Sequence, residues 1–238
     1  MAISFVGSAE NSAIDGADVT LTLPAMNQND LVVVAYAIGV VTDENMAMVT
    51  AGYTEVADLY ADNILGLDTN LGVYWKVMGA TPDTTAVVDG LGGVDASVAA
   101  VCMVFRDVDT TTPMDVTPTT ATAADTMHPD PPSIDFLDAA AWTVIVGASG
   151  HDLGGAGTYT FPTGYTTNAI DRGSDDVNDI TVGIGYRTTP ADPENPAVMT
   201  HSGTDSTIYS SGAVTLALRP AAAAGATFPS WMYQGGYW

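Results

Sequence analysis

Asp30-Leu31-Val32-Val33-Val34-Ala35-Tyr36-Ala37-Ile38-Gly39 is an apolar run closed by a glycine. It has a twin in Ala141-Trp142-Thr143-Val144-Ile145-Val146-Gly147-Ala148-Ser149-Gly150, with the closing glycines 111 positions apart (150 minus 39). Short apolar runs rich in valine and isoleucine and bounded by turn formers read as strands. Self-similarity at a fixed spacing reads as duplication.

Other landmarks keep the offset. Gly52-Tyr53-Thr54 matches Gly164-Tyr165-Thr166, and Gly72-Val73-Tyr74-Trp75-Lys76 matches Gly183-Ile184-Gly185-Tyr186-Arg187. Ala99-Ala100-Val101-Cys102-Met103-Val104-Phe105-Arg106 matches Gly212-Ala213-Val214-Thr215-Leu216-Ala217-Leu218-Arg219, with a drift of two positions of the kind loop insertions produce. Each half then holds four strand signals, which predicts about eight main strands. Residues 3–5 and 19–23 precede the first half as flanking strands. The Gly, Pro, Asn and Asp clusters between the runs read as turns and long loops, and the Ala-rich pieces at 121–124 and 221–224 read as linkers.

The expectation is an all-β fold, an antiparallel β-sandwich with jelly-roll topology over residues 1–220. Its first half covers about 29–113 and its second about 140–220. Residues 221–238 follow as an Ala-rich linker and an aromatic C-terminal tail.

The charge balance is extreme. Among 238 residues there are 28 acids and five bases, for a formal net charge of −23. Glu stands only at 10, 44, 55 and 194, so nearly all the acids are Asp, and Lys76 is the sole lysine. Such a chain repels itself at low ionic strength. At molar salt the screening length falls to about 3 Å, so the composition reads as adaptation to concentrated salt. Phosphate binding needs clustered cations, which excludes nucleic acid as a partner. No stretch of about 18 apolar residues is present, so membrane insertion is not expected. Residues 1–8 lack the basic start and apolar run of a secretion signal, which predicts synthesis in a host cytoplasm. Cys102 is alone and reads as a small buried hydrophobe.

The opening Ile3-Ser4-Phe5-Val6-Gly7-Ser8, Asn29-Asp30-Leu31-Val32-Val33-Val34 and Val73-Tyr74-Trp75-Lys76-Val77 carry a resemblance. So do Phe105-Arg106-Asp107-Val108-Asp109-Thr110-Thr111-Thr112-Pro113-Met114-Asp115-Val116 and the closing Ala217-Leu218-Arg219-Pro220. Together they resemble small jelly-roll-like structural proteins of tailed viruses, of the capsid decoration, turret or tail-fibre type. The resemblance implies a non-enzymatic protein on the virion surface, here of a virus with a halophilic host. It brings no catalytic residues with it. Other virion proteins and further copies of the chain are the implied partners.

The residues themselves offer little catalytic chemistry. His128, His151 and His201 fall in loop-like settings outside any recognised motif. Gly154-Gly155-Ala156-Gly157 has no helix after it and reads as a hairpin tip, not a dinucleotide site. Carboxylate pairs are too abundant for any single pair to be informative. Asp171, Asp175, Asp176 and Asp179 form the densest loop of oxygen ligands and are the candidate Ca²⁺ site, against the plainer reading of a solvated acidic loop. Asp107, Asp109 and Asp115 read as turn formers.

The tail, residues 228–238, holds Phe228, Trp231, Tyr233, Tyr237 and Trp238 without a charge. Aromatic side chains dominate buried interface centres, so these five are the expected interface residues of a homo-oligomer or of docking onto another virion protein. The rival function is a carbohydrate- or host-receptor-binding module, which requires Trp75, Tyr165, Tyr186 or the tail rings to form a solvent-facing aromatic platform. A glycosidase or esterase is a third, weaker alternative.

Overall fold

The computed structural model describes residues 1–63, 67–92, 96–152, 156–175, 178–204 and 209–222. Among them every regular element is a strand. The first half of the chain supplies β1 (Ser4–Ala13), β2 (Val19–Thr22), β3 (Leu31–Gly39), β4 (Thr54–Ala61), β5 (Thr69–Val77), β6 (Thr85–Val88) and β7 (Ser97–Arg106). The second supplies β8 (Thr119–Ala123), β9 (Trp142–His151), β10 (Tyr159–Thr160), β11 (Ile170–Ser174), β12 (Asp179–Arg187), β13 (Thr200–His201) and β14 (Ser210–Leu218).

Two five-stranded antiparallel sheets result, in the orders β1-β7-β3-β5-β4 and β8-β14-β9-β12-β11. The duplication is therefore a duplication of topology, because each strand of one sheet has its counterpart at the same place in the other. There are ten main strands where eight were expected. The two extra are β1, which joins the first sheet as an edge, and β8, which takes in Ala121 to Ala123 of the expected linker. β8 is a run of Thr and Ala whose side chains are half-buried or exposed, so it carries no apolar signal to mark it. Each sheet is drawn from one consecutive half of the chain, and jelly-roll topology is not confirmed.

The sheets pack face to face. Leu31, Val33, Ala35, Val101, Met103 and Phe105 of one meet Val144, Val146, Val182, Ile184, Leu216 and Leu218 of the other, all buried. The packing is reciprocal. Ser174 Oγ donates to the Ala13 carbonyl at 2.7 Å, and Asn63 Nδ2 donates to the Ala124 carbonyl; the second bond is the first with each partner moved by 111 positions into the other half. Likewise a Cβ at Gly39 would stand 2.6 Å from the Asn178 carbonyl oxygen, and one at Gly150 would stand 2.5 Å from that of Asp68, beside Leu67. Glycine is required at both crossings because the two sheets' backbones touch there. When residue i of one unit meets j of the other and j meets i, the contact is isologous, so the chain is a pseudo-twofold dimer in a single polypeptide.

The outer faces are covered too. Over the first sheet, the β2–β6 ribbon buries Val19, Leu21, Ala86 and Val88 against Val32, Val34, Ile38, Val98 and Val104. Over the second, β10–β13 and its flanks bury Tyr159, Phe161, Tyr165 and Met199 against Ile145. Central strands with both faces covered bury every residue, which is why β3 and β7 read as unbroken apolar runs and not as alternation. Cys102 is fully buried in the outer layer of the first half.

Candidate functional site

The repeated Gly-Tyr-Thr segments hold a shared constellation. Gly52 and Gly164 both have positive φ, 87° and 93°, and the basic side chain 23 or 24 residues on lies over each of them. Lys76 Nζ pairs with Asp83 at 2.6 Å, and Arg187 Nη1 pairs with Glu194 at 3.0 Å. The carboxylates differ by one methylene. Glu194 reaches both Arg187 and the Tyr165 hydroxyl, at 2.8 Å. Asp83 serves Lys76 alone, and the buried Tyr53 hydroxyl, its counterpart, has no hydrogen-bond partner. These are clamps between turn and strand. The other three cations also face carboxylates: Arg106 on Asp30, Arg219 on Asp115 and, between the exposed edges of β11 and β1, Arg172 at 3.9 Å from Glu10.

The polar chemistry of the molecule is concentrated on the outer face of the second sheet. β3 sends Val32, Val34, Tyr36 and Ile38 outward into an apolar layer. β9, at the matching positions, sends Thr143, Ile145, Gly147 and Ser149, then His151 at its end. Asp179 lies directly across from His151 in the sheet, and Thr181 across from Ser149. β10 and β13 close over them with Tyr159 and His201. All six are buried.

The hydrogen bonds fix the tautomers. The Gly203 amide must donate, so His201 Nδ1 accepts from it at 3.1 Å and carries its proton on Nε2. That Nε2–H donates to Thr181 Oγ1 at 3.2 Å, and the threonine hydroxyl in turn donates to His151 Nε2 at 2.8 Å. His151 therefore bears its proton on Nδ1, which faces Asp179 Oδ2 across 3.7 Å without a hydrogen bond. Because the carboxylate is beyond hydrogen-bonding reach, burial dominates and holds the imidazole neutral, its pKa lowered to about 4. The two rings lie 4.6 Å apart. Beside them the Tyr159 hydroxyl bonds Ser149 Oγ and donates to the Thr181 carbonyl at 3.3 Å. His128 completes the group, its Nδ1 accepting from the His201 amide at 3.0 Å.

Thr181, His151 and Asp179 thus stand in the order of a hydroxyl nucleophile, a base and an orienting acid, which the sequence does not announce. The histidines were expected in loops; His151 instead ends β9, His201 lies in β13, and all three converge. The arrangement has no room for a substrate at the hydroxyl, however. Gly157 packs so closely above it that a Cβ there would fall 2.6 Å from Thr181 Oγ1 and closer still to His201 Nε2. The cluster is a buried polar network that fastens ribbon to sheet.

Compared with protein-family models, curated proteins and solved structures, the chain matches none.

Of the expected Ca²⁺ ligands, Asp171 and Asp179 are not brought together. Asp171 lies on β11 opposite Gly183, four residues from Asp179 along the neighbouring strand, or about 13 Å. Its Oδ2 accepts from the Tyr159 amide at 2.6 Å, and burial raises its pKa above the usual carboxylate value. Asp175 is exposed, Asp179 faces His151, and Asp176 lies outside the described residues. Among the described residues no group of three His, Cys, Asp or Glu could hold a metal. Two of the expected turn formers act through their carboxylates: Asp109 Oδ1 takes the Thr111 and Thr112 amides, and Asp115 Oδ2 those of Leu137 and Asp138. Asp107 acts through a positive φ of 63°.

Of the rings that would form a sugar-binding platform, two are internal. Tyr165 and Tyr186 are buried, and Tyr186 is stacked between Trp142 at 5.3 Å and Phe5 at 5.2 Å. Trp75 is half-buried against the inter-sheet core. The expected interface residues Phe228, Trp231, Tyr233, Tyr237 and Trp238 lie outside the described residues.

Proposed function

We propose that this chain is a non-enzymatic structural protein on the outer surface of a virus particle that endures concentrated salt, assembling through its aromatic tail with other copies or other virion proteins. The observation that carries the reading is the disposition of its chemistry. The Thr181, His151 and His201 side chains that the fold gathers are sealed under a covering ribbon, and each lysine and arginine faces a carboxylate. What faces outward is an excess of carboxylates. Such an exterior keeps a densely displayed protein soluble and its copies apart except where an uncharged segment joins them.

Deletion of residues 223–238 tests the anchoring. The truncated chain, expressed during infection of a halophilic host, is expected to fold but to be missing from purified particles that incorporate the full chain. Equal incorporation of both forms refutes it. A salt series tests the environment: the urea midpoint should climb steadily as NaCl rises to several molar, and a midpoint independent of salt removes that part of the proposal.

A further inference from the structure

We propose that β8 is a docking edge for a second copy of this chain, the two β8 strands pairing antiparallel about a twofold axis at Ala121. The two main sheets have four edges, β1, β4, β8 and β11. An open edge is a template for another strand unless a bulge, a charge or a covering segment blocks it. Three of the four are blocked. β1 has a bulge between Phe5 and Gly7 and exposes Glu10. β4 has a bulge between Glu55 and Ala57 and exposes both Glu55 and Asp58. β11 carries Asp171 and Arg172, and the Gly157 backbone lies so close over Gly173 that a Cβ there would stand 2.8 Å from it.

β8 has none of these devices. Thr119-Thr120-Ala121-Thr122-Ala123 is uncharged and keeps an unbroken register with β14, from Thr119 opposite Thr215 to Ala123 opposite Ser211. Among the described residues no strand pairs with its other side. Its outer face is open as well: a cleft of about 260 Å³ lies there, walled by Ala121, Ala123, Pro132, Ser211 and Ala213, with Asp130 the one charge. In a chain with 28 acids, this is the sheet edge at which two copies can meet without setting carboxylate against carboxylate. Centred on Ala121, all five residues find partners, and Thr120 of one copy stands opposite Thr122 of the other, a favourable cross-strand pair. The contact is isologous and closes at two copies. Five residues make a short seam, so the pairing is weak and concentration-dependent. With −23 on each copy, it also requires salt to screen the rest of the surface. The seam is separate from the tail and goes beyond the role proposed above.

Sedimentation equilibrium on the full chain, from micromolar to millimolar protein, is the test. A monomer–dimer equilibrium should appear in concentrated NaCl and weaken as salt is removed. Thr120→Asp combined with Thr122→Asp changes two exposed sites and sets carboxylates face to face in the seam, so dimerisation should weaken about tenfold or more with the circular dichroism spectrum unchanged. Thr120→Lys combined with Thr122→Lys lowers the net negative charge, yet it sets cations face to face and should weaken the dimer too. If the Asp pair does not fold, the Lys pair decides. Deletion of residues 223–238 should leave the dimer intact. A chain that stays monomeric throughout, or a dimer that survives either pair in a folded protein, overturns the proposal. So does a dimer lost with the tail, a result that leaves anchoring through the tail standing.

Discussion

The two halves share strand order, turn glycines and ion pairs, yet they fill their outer layers in opposite ways. In the first, the sheet carries the bulk as Tyr36 and Tyr74, and the covering segments carry Ala86 and Thr50. In the second, the sheet carries Gly147 and Gly185, and the cover carries Met199 and Phe161. Volume is conserved across the layer while its assignment to sheet or cover is exchanged, as close packing demands. Polarity is not conserved at two of the matching positions. Val40 and Val88 become His151 and His201, while the buried Asn70, which bonds the Glu44 amide and the Thr42 carbonyl, becomes Thr181, so the histidine network belongs to the second half alone.

The inner faces should behave alike, and the largest effects belong there. Val33 and Val144 are equivalent and fully buried between the sheets. A carboxylate at either site has no partner, so Val33→Asp and Val144→Asp should each cost more than about 4 kcal/mol and unfold the protein at neutral pH. Circular dichroism would show it; tolerance of either substitution would break the equivalence of the halves.

The outer faces should differ in their response to acid. His151 stays neutral in the fold down to about pH 4, whereas the unfolded chain binds the proton near pH 6.5. Unfolding is therefore increasingly favoured as pH falls through that window, and the stability present above pH 6.5 declines by up to about 3 kcal/mol. His151→Val, which copies Val40, should abolish that share of the dependence in chemical denaturation at pH 7 and pH 4.5. An unchanged pH profile would show that His151 is not the group responsible.

The exchange of bulk is open to a double-mutant cycle. A Cβ at Gly147 would meet Met199 Sδ at 2.7 Å and Pro129 at 2.8 Å, so Gly147→Ala should cost about 1–3 kcal/mol. Met199→Ala makes room, and the double variant should cost less than the sum of the singles. Strict additivity would mean that the two positions do not share one space. The smallest effect is a gain: Asp83→Glu gives the Tyr53 hydroxyl the partner that Tyr165 finds in Glu194, and should add about 1 kcal/mol in urea titration. No gain would mean that the missing methylene is not why the hydroxyl is orphaned.

Much of this was legible in the sequence, because backbone-level constraints repeat themselves. The apolar runs of β3, β7, β9 and β14 and the turn glycines 52 and 164 had to recur for two sheets to form in the same order. β1 was legible only as a short flanking strand at residues 3–5 and β8 not at all, because an edge exposed on one side needs no apolar pattern. The histidine cluster was hidden for another reason. His128, His151 and His201 are held together by register and by the ribbon crossing over β9, and sequence spacing encodes neither. One signal was available: aligning the halves sets His151 against Val40 and His201 against Val88, so polar residues stand where the first half is apolar.

Cutting the chain is the most direct test of the view that each half is one sheet of a pseudo-twofold pair. Residues 1–110 and 111–238, produced together in concentrated salt, should co-purify as a one-to-one complex whose amide spectrum overlays that of the intact protein outside the cut. Fragments that fold without each other's company, or that never associate although both are soluble, would contradict it.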